Sequence, residues 1–517
     1  MRLSTALAKH WPALLAGGLA ISSLALLWRV RDTPLGLGTF ARFDALSAFF
    51  LFALFGGITL ALAARPARFS MRWLRPVAVA GALVLAFSTT LTLAIGGAYF
   101  ALALLTFDWL AWATAEEGPP ATLVERAVRV LRRAVLAAPT LLAASSLLLG
   151  CGALALRGAA RYDDRAAGAA LDSFAFWFVL LAASIVCAPL LRTTNDERRT
   201  TNNEIGLLRF AWLYPLARLY SLGPWNSGWS FATLLLGGAL ALWCACSALI
   251  RPDASTRNHR TQSSYLALAL SGLGLSNSAG VAAACYAVLA YLVLWVGHSE
   301  WGTEDPAHPP SAIPHPPSPI PPTWLLSSAL PLTAPFVAVW MLIGASVAGG
   351  VALLAGVAWL AALIHGLAVA LWDGTEPAQA RRPLLVAGAL SLALGAGAPP
   401  IARLLILPVV AQLQGGLTPF GDVNIWPWVG VAASDSAHTQ VATLPSVAIA
   451  LLMLVLTALV YVVVRLRELR RADQPAEPPE ATAVASPLLS YLRDEVPWLG
   501  GLLGANSRSQ RQPGDSE

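Results

Sequence analysis

Residues 43–64 read FDALSAFFLFALFGGITLALAA. One charge, Asp44, opens the stretch, and the 20 residues after it carry none. As a helix, that length rises about 30 Å, the thickness of the hydrocarbon layer of a bilayer. A soluble helix would show a polar face every third or fourth residue, and this stretch shows none. Comparable runs recur at 11–30, 76–95, 97–115, 134–156, 170–191, 229–250, 262–279, 281–297, 324–343, 345–372, 383–412 and 444–466. Only helices satisfy their own backbone in lipid without closing into a barrel. The expected fold is therefore all-α, a polytopic membrane bundle of about 13–14 transmembrane helices with broken helices. It fills 1–466, and a polar tail with a short amphipathic segment follows at 467–517.

Composition agrees with this reading. Of 517 residues, 57% are apolar and only 12% charged, and the mean hydropathy is +0.64. That charged share is about half the usual one. A soluble enzyme, a disordered chain and a disulfide scaffold are excluded. The net charge of +6 comes from arginines placed mostly between apolar runs. They read as topology signals and contacts to anionic lipid, not as a nucleic-acid surface. Lys9 is the sole lysine. Cys151, Cys187, Cys244, Cys246 and Cys285 all fall in apolar runs and read as buried, inert thiols. Arg2 and Lys9 precede an apolar run too long for a signal peptide, so a first transmembrane helix is expected there.

The connections carry further signals. Arg65, Arg68, Arg72 and Arg75 follow the second run, and Arg126, Arg129, Arg132 and Arg133 follow the fourth. Both clusters fall on the side of the N-terminus, which points to a cytoplasmic N-terminus in a bacterial inner membrane. The stretch 305–322, with His308 and His315, reads as a stiff Pro-rich linker. The segment GLLRFAWLYPLARLYSL (206–222) carries Arg209, Pro215 and Arg218, so it is a partial, protein-buried or interfacial helix. Pro331 with Pro335, and Pro399 with Pro400, interrupt two apolar runs. They make either simple kinks or discontinuous helices beside an ion path. Residues 487–503 form a short amphipathic segment.

Enzyme motifs and cofactor fingerprints are missing from the sequence, and no metal-ligand spacing occurs. The glycines of SGLGLSNSAG (271–280) read as close helix packing. Asp422, Asp435 and His438, in the loop 413–443, have no catalytic spacing. Ionisable groups inside membrane spans are the default functional candidates. These are Asp108, His365 and Arg403, while Asp44 and Asp172 lie at helix starts, where a carboxylate suits the dipole.

Several segments resemble one family in collinear order over about residues 40–370. FDALSAFFL (43–51), LALLTFDWLAW (102–112), IVCAPLL (185–191), GLLR (206–209) with GPW (223–225), RNHRTQSSYLALALSGLGL (257–275), AVLAYLVLWVGHS (287–299) and SALPLTAPFVAVWML (328–342) carry the resemblance. The family is that of antiporter-like, proton-conducting membrane subunits of respiratory complex I, membrane-bound hydrogenases and Mrp sodium/proton antiporters. The resemblance implies a non-catalytic subunit without a cofactor of its own, partnered by other membrane subunits. It also places Ser184, Thr201, Ala290 and Val339 where the family carries channel lysines or another charge. The channel glutamate maps near Trp112, with Asp108 one turn earlier. The stretch between Pro189 and Gly206 is shorter than the family's, so a half-helix there is missing or remodelled.

Ser, Thr, Ala and Val cannot carry a proton. The resemblance thus implies a divergent member, degenerate in its proton relay and partly structural. Asp108, His365, Arg403 and Arg257 remain as proton-path candidates. The other reading of the residues is a stand-alone secondary transporter with a midplane site at the broken helices. A membrane-embedded transferase would need a catalytic carboxylate, for which only the 413–443 loop offers residues.

Overall fold

The computed structural model describes residues 2–38, 40–64, 74–115, 123–161, 173–188, 206, 208–250, 254–298, 326, 329–372, 381–413, 417, 423–426, 430–434, 440–444, 455, 459 and 462. Arg65, Arg68, Arg72, Asp172, the polar run 192–205 with Thr201, the Pro-rich 305–322, Asp422, Asp435, His438 and the tail 467–517 lie outside the described residues.

The protein is an all-helical membrane bundle. Among the described residues its helices include α1 (Arg2–Val30), α2 (Ala45–Ala64), α3 (Leu74–Ser88), α4 (Thr92–Ala115), α5 (Leu123–Leu156), α6 (Ser173–Cys187), α7 (Leu213–Arg218), α8 (Ser227–Ile250), α9 (Ala254–Gly274), α10 (Ser278–His298), α11 (Ala334–Ala348), α12 (Ala352–Trp372), α13 (Arg381–Ala396) and α14 (Ala398–Leu413). Helix α10 is the axis: every residue of 279–297 is buried, and it packs against α2, α9, α11, α13 and α14. Helix α14 returns to α1 and α2, where Gln412 Oε1 accepts from the Ala45 N–H at 2.7 Å. The C-terminal half of the bundle thus satisfies one of the unpaired donors at the start of α2.

Several boundaries differ from those read in the sequence. The turn between α3 and α4 falls at 89–91, not at Gly96. Threonine hydroxyls hold that turn: Thr89 and Thr90 donate to the Phe40 carbonyl, and Thr92 donates to Ala159. Gly96 instead lets α4 lie against α5, since a Cβ there would stand 3.0 Å from the Leu148 Cα. Helix α5 begins at Leu123, so Arg126, Arg129, Arg132 and Arg133 ride on its first turns and not in a loop. Part of the 413–443 loop joins a three-stranded antiparallel sheet of Val423–Trp426, Gly430–Ser434 and Gln440–Leu444. Cys246 is exposed, whereas the other four thiols are buried as expected.

The 206–222 segment takes the protein-buried alternative. Helix α7 and its two flanking 3-10 turns, Arg209–Trp212 and Leu219–Ser221, sink into the core. Backbone left unpaired by such breaks needs partners at membrane depth. Tyrosine hydroxyls supply them: Tyr99 donates to Ala211, Tyr291 to Gly206, Tyr220 to Leu273, Tyr286 to Leu394, and Tyr214 to Phe87 at 3.0 Å. The glycines of 271–280 pack helices, as their reading predicts. A Cβ on Gly274 would lie 2.4 Å from the Leu234 nitrogen of α8.

Candidate functional site

Helix α9 is the polar element of this apolar chain. Its first half, RNHRTQSS (257–264), would be a surface helix in a soluble protein. Here Arg257, Arg260, Thr261, Gln262, Ser263 and Ser264 are buried. The helix lies between α6 and α8, with α12 beyond, so its two polar sides serve different neighbours.

One side meets Arg209, which is 2% exposed. Its Nε and Nη2 donate to the Val186 carbonyl at 3.0 and 2.7 Å, and Nη2 also reaches Cys187 and Ala188 at 3.2 and 3.3 Å. Those carbonyls are the unpaired end of α6, the negative pole of that helix. The remaining Nη1 faces His259 Nε2 at 3.3 Å.

The other side meets α12. His365 Nδ1 lies 3.5 Å from Thr261 Oγ1, and Thr261 in turn donates to the Arg257 carbonyl at 3.1 Å. The His365 ring stacks on Tyr265 with centroids 5.9 Å apart. His365 Nε2 and Tyr265 Oη are both buried without a hydrogen-bond partner among the described residues. Buried polar atoms of this kind are commonly satisfied by internal water.

A third polar cluster joins the N-terminal half of the bundle. Asp44 caps α2 by accepting from the Ser47 N–H at 2.9 Å and the Ser47 hydroxyl at 2.8 Å. Its other oxygen pairs with Arg218 Nη1. Arg218 also donates to Tyr214 Oη at 2.9 Å and to Ser47 Oγ at 2.7 Å. All four residues are buried, beneath Phe50 and Phe87.

The sequence candidates are distributed unevenly over this arrangement. His365 meets Thr261, whose hydroxyl donates to the backbone carbonyl of Arg257 one turn earlier. Arg403 is exposed on the outer face of α14, in a π-helical turn at Ala402–Ile406. Asp108 falls in the last turns of α4, where the backbone alone is described. Of the positions assigned to lost lysines, Ser184 is buried and returns its hydroxyl to the Leu180 carbonyl at 2.7 Å. Ala290 and Val339 are buried in α10 and α11. The sequence reading missed Arg209 and His259 as partners, as well as Tyr265 and the Asp44–Arg218 pair. The hydrophilic start of α9 was the available signal.

The two broken helices meet. Pro331 and Pro335 flank an extended turn in which Leu332 has φ of 72°, and Thr333 caps α11. A Cβ on Gly395, near the end of α13, would lie 2.1 Å from the Leu332 carbonyl oxygen. The chain then bends by 79° into α14 at Pro399–Pro400. The breaks are thus packed on each other rather than around a hollow. A cavity between α2, α7, α9 and α10 holds about 10 Å³ and is lined by apolar groups such as Leu46, Phe49, Leu213 and Val288. That is room for about one water.

No protein family matches the sequence, and no curated protein does. Solved structures do match. The chain is similar to one in the Mrp complex from Dietzia sp. DQ12-45-1b, at 16% identity and a TM-score of 0.59, covering 79% of this chain and 93% of that one. It is similar to a chain of the membrane-bound sulfane sulfur reductase, an archaeal respiratory membrane complex, at 14% identity and a TM-score of 0.59, covering 96% and 91%. It is also similar to a chain of respiratory complex I from Thermus thermophilus, at 15% identity and a TM-score of 0.59, covering 78% and 95%. The protein is thus an integral membrane chain with the fold of these complexes' membrane subunits, as the resemblance implied.

Proposed function

We propose that this chain is an antiporter-like subunit of a multi-subunit membrane complex, degenerate in its proton relay and in large part structural. The observation that carries the reading is the fold match, which spans more than nine-tenths of each matched subunit. Three complexes of different chemistry share that scaffold, so the fold itself selects no ion and no redox partner. The second support is the polar interior of α9, which an apolar anchor would not need. His365 is the group through which any remaining proton movement would pass, with Thr261 and Arg257 lining its side of α9 and Asp108 as a candidate entry. Arg403, on the outer face, suits a neighbouring subunit or a lipid headgroup. The membrane is a bacterial inner membrane, with the N-terminus cytoplasmic.

Purification of the tagged chain from native membranes in mild detergent tests this proposal. Co-purification of further membrane subunits in fixed ratio is expected. Recovery of the chain alone, or only with itself, would overturn the subunit assignment.

A further inference from the structure

Arg209 sits where α6, the α7 segment and α9 converge on polar groups. Four hydrogen bonds from Nε and Nη2 to the Val186, Cys187 and Ala188 carbonyls fix it in the core. No carboxylate pairs with it among the described residues; its counter-charge is the end of α6. A guanidinium holds only donors and keeps its charge at any accessible pH. His259 Nε2 must therefore accept from Nη1, which leaves the ring neutral with its proton on Nδ1. Among the described residues, the charged groups acting on His259 are Arg209 and, on the histidine's own helix, Arg260. Both are positive. A second proton on His259 would have no acceptor to point at and would face a cation 3.3 Å away.

We infer that Arg209 is a fixed-charge barrier, a guanidinium that bars protons and cations from the α6–α9 side of the polar interior by holding His259 as a neutral acceptor. Positive groups fixed in narrow membrane passages exclude cations in the same physical way. The inference deepens the proposed subunit role by giving the degenerate relay a cause. It identifies a residue that closes a route, where lysine loss alone would only remove carriers.

Full-length protein in liposomes under a potassium diffusion potential, with a pH-sensitive dye inside, tests it. Arg209→Gln keeps donors for the α6 carbonyls and removes the charge. Its proton influx is expected to exceed wild type at least tenfold, and His259→Phe in the same chain is expected to return it to the wild-type rate. Arg209→Lys keeps the charge and is expected to stay tight. An Arg209→Gln protein as tight as wild type, a leak that His259→Phe leaves in place, or an equal leak from Arg209→Lys would each overturn the barrier. Should Arg209→Gln fail to reconstitute, the ¹⁵N spectrum of histidine-labelled wild type decides: a protonated Nε2 on His259 at pH 6 overturns the inference. Co-purification is read separately. A lone chain with a leaky Arg209→Gln overturns the subunit role and keeps the barrier, and a complex with an indifferent Arg209→Gln does the reverse.

Discussion

Asp44→Ala should be among the most damaging single substitutions in the N-terminal half of the bundle. The change removes three things at once. It breaks the buried pair with Arg218, and losing one partner of a buried pair costs about 3–5 kcal/mol because the other charge stays buried. It removes the α2 cap on the Ser47 N–H, worth about 1 kcal/mol. It also takes an acceptor from the Ser47 hydroxyl. The expected loss is about 4–6 kcal/mol. The double variant Asp44→Asn with Arg218→Met removes both charges, keeps a capping oxygen and refills the guanidinium's volume. Charge-free replacements of buried pairs are often close to neutral, so its loss should be smaller than that of either single change. Reversible unfolding in mixed detergent micelles, followed by tryptophan fluorescence, measures Asp44→Ala and the four corners of the cycle: wild type, Asp44→Asn, Arg218→Met and the double variant. A single variant within about 1 kcal/mol of wild type, or a double variant worse than the sum of the singles, would refute the view that the pair is a tightly coupled clamp.

Other expectations follow from the same geometry. Gly274→Ala would press a methyl against the Leu234 backbone of α8 and should cost about 1–3 kcal/mol, while Gly97→Ala, with nothing within 4 Å, should be neutral or stabilising by up to about 1 kcal/mol; thermal melts of the two in parallel read the contrast. Tyr291→Phe leaves the buried Gly206 carbonyl without its donor and should cost about 1–3 kcal/mol in the same assay. Gly395→Ala should drive the Leu332 turn off α13, which would appear as faster proteolysis near residue 332 and a lowered melting temperature.

How far the sequence could be read depended on what kind of signal each feature leaves. Membrane spans are long and locally encoded, so the bundle was legible from runs such as 43–64. Their ends were less so, because Gly96 reads as a break in one dimension and acts as a contact surface in three. The turn at 89–91 is set by hydroxyls reaching Phe40 and Ala159, about 50 and 70 residues away in sequence. The 206–222 segment showed as anomalous, but its burial depends on tyrosines from α4 and α10 that no local window contains. The same holds for the site. His365 was visible as an ionisable group in a span. Its partners Thr261 and Tyr265 on α9 were not, because they lie about 100 residues away and no local window pairs the two helices. Asp44 looked like a helix cap and is one, yet its partner Arg218 lies 174 residues on.

The choice of cation connects these features. Of 34 basic residues in the chain, Lys9 is the sole lysine. A lysine buried in low dielectric can release its proton and so can carry one, whereas an arginine keeps its charge and presents a planar fork of donors. The two arginines fixed in the α7 region use that fork as clamps. Arg209 gathers three carbonyls at the end of α6, and Arg218 binds a carboxylate, a hydroxyl and a phenol that join α2 to α7. Each holds a broken piece of backbone at a depth where water cannot. A cation immobilised in this way stabilises the bundle through the same property that disqualifies it as a proton carrier. An interior built on arginine can therefore keep the scaffold shared with the matched complexes while its polar seam is closed, and Arg209→Lys against Arg209→Gln separates the charge from the fork.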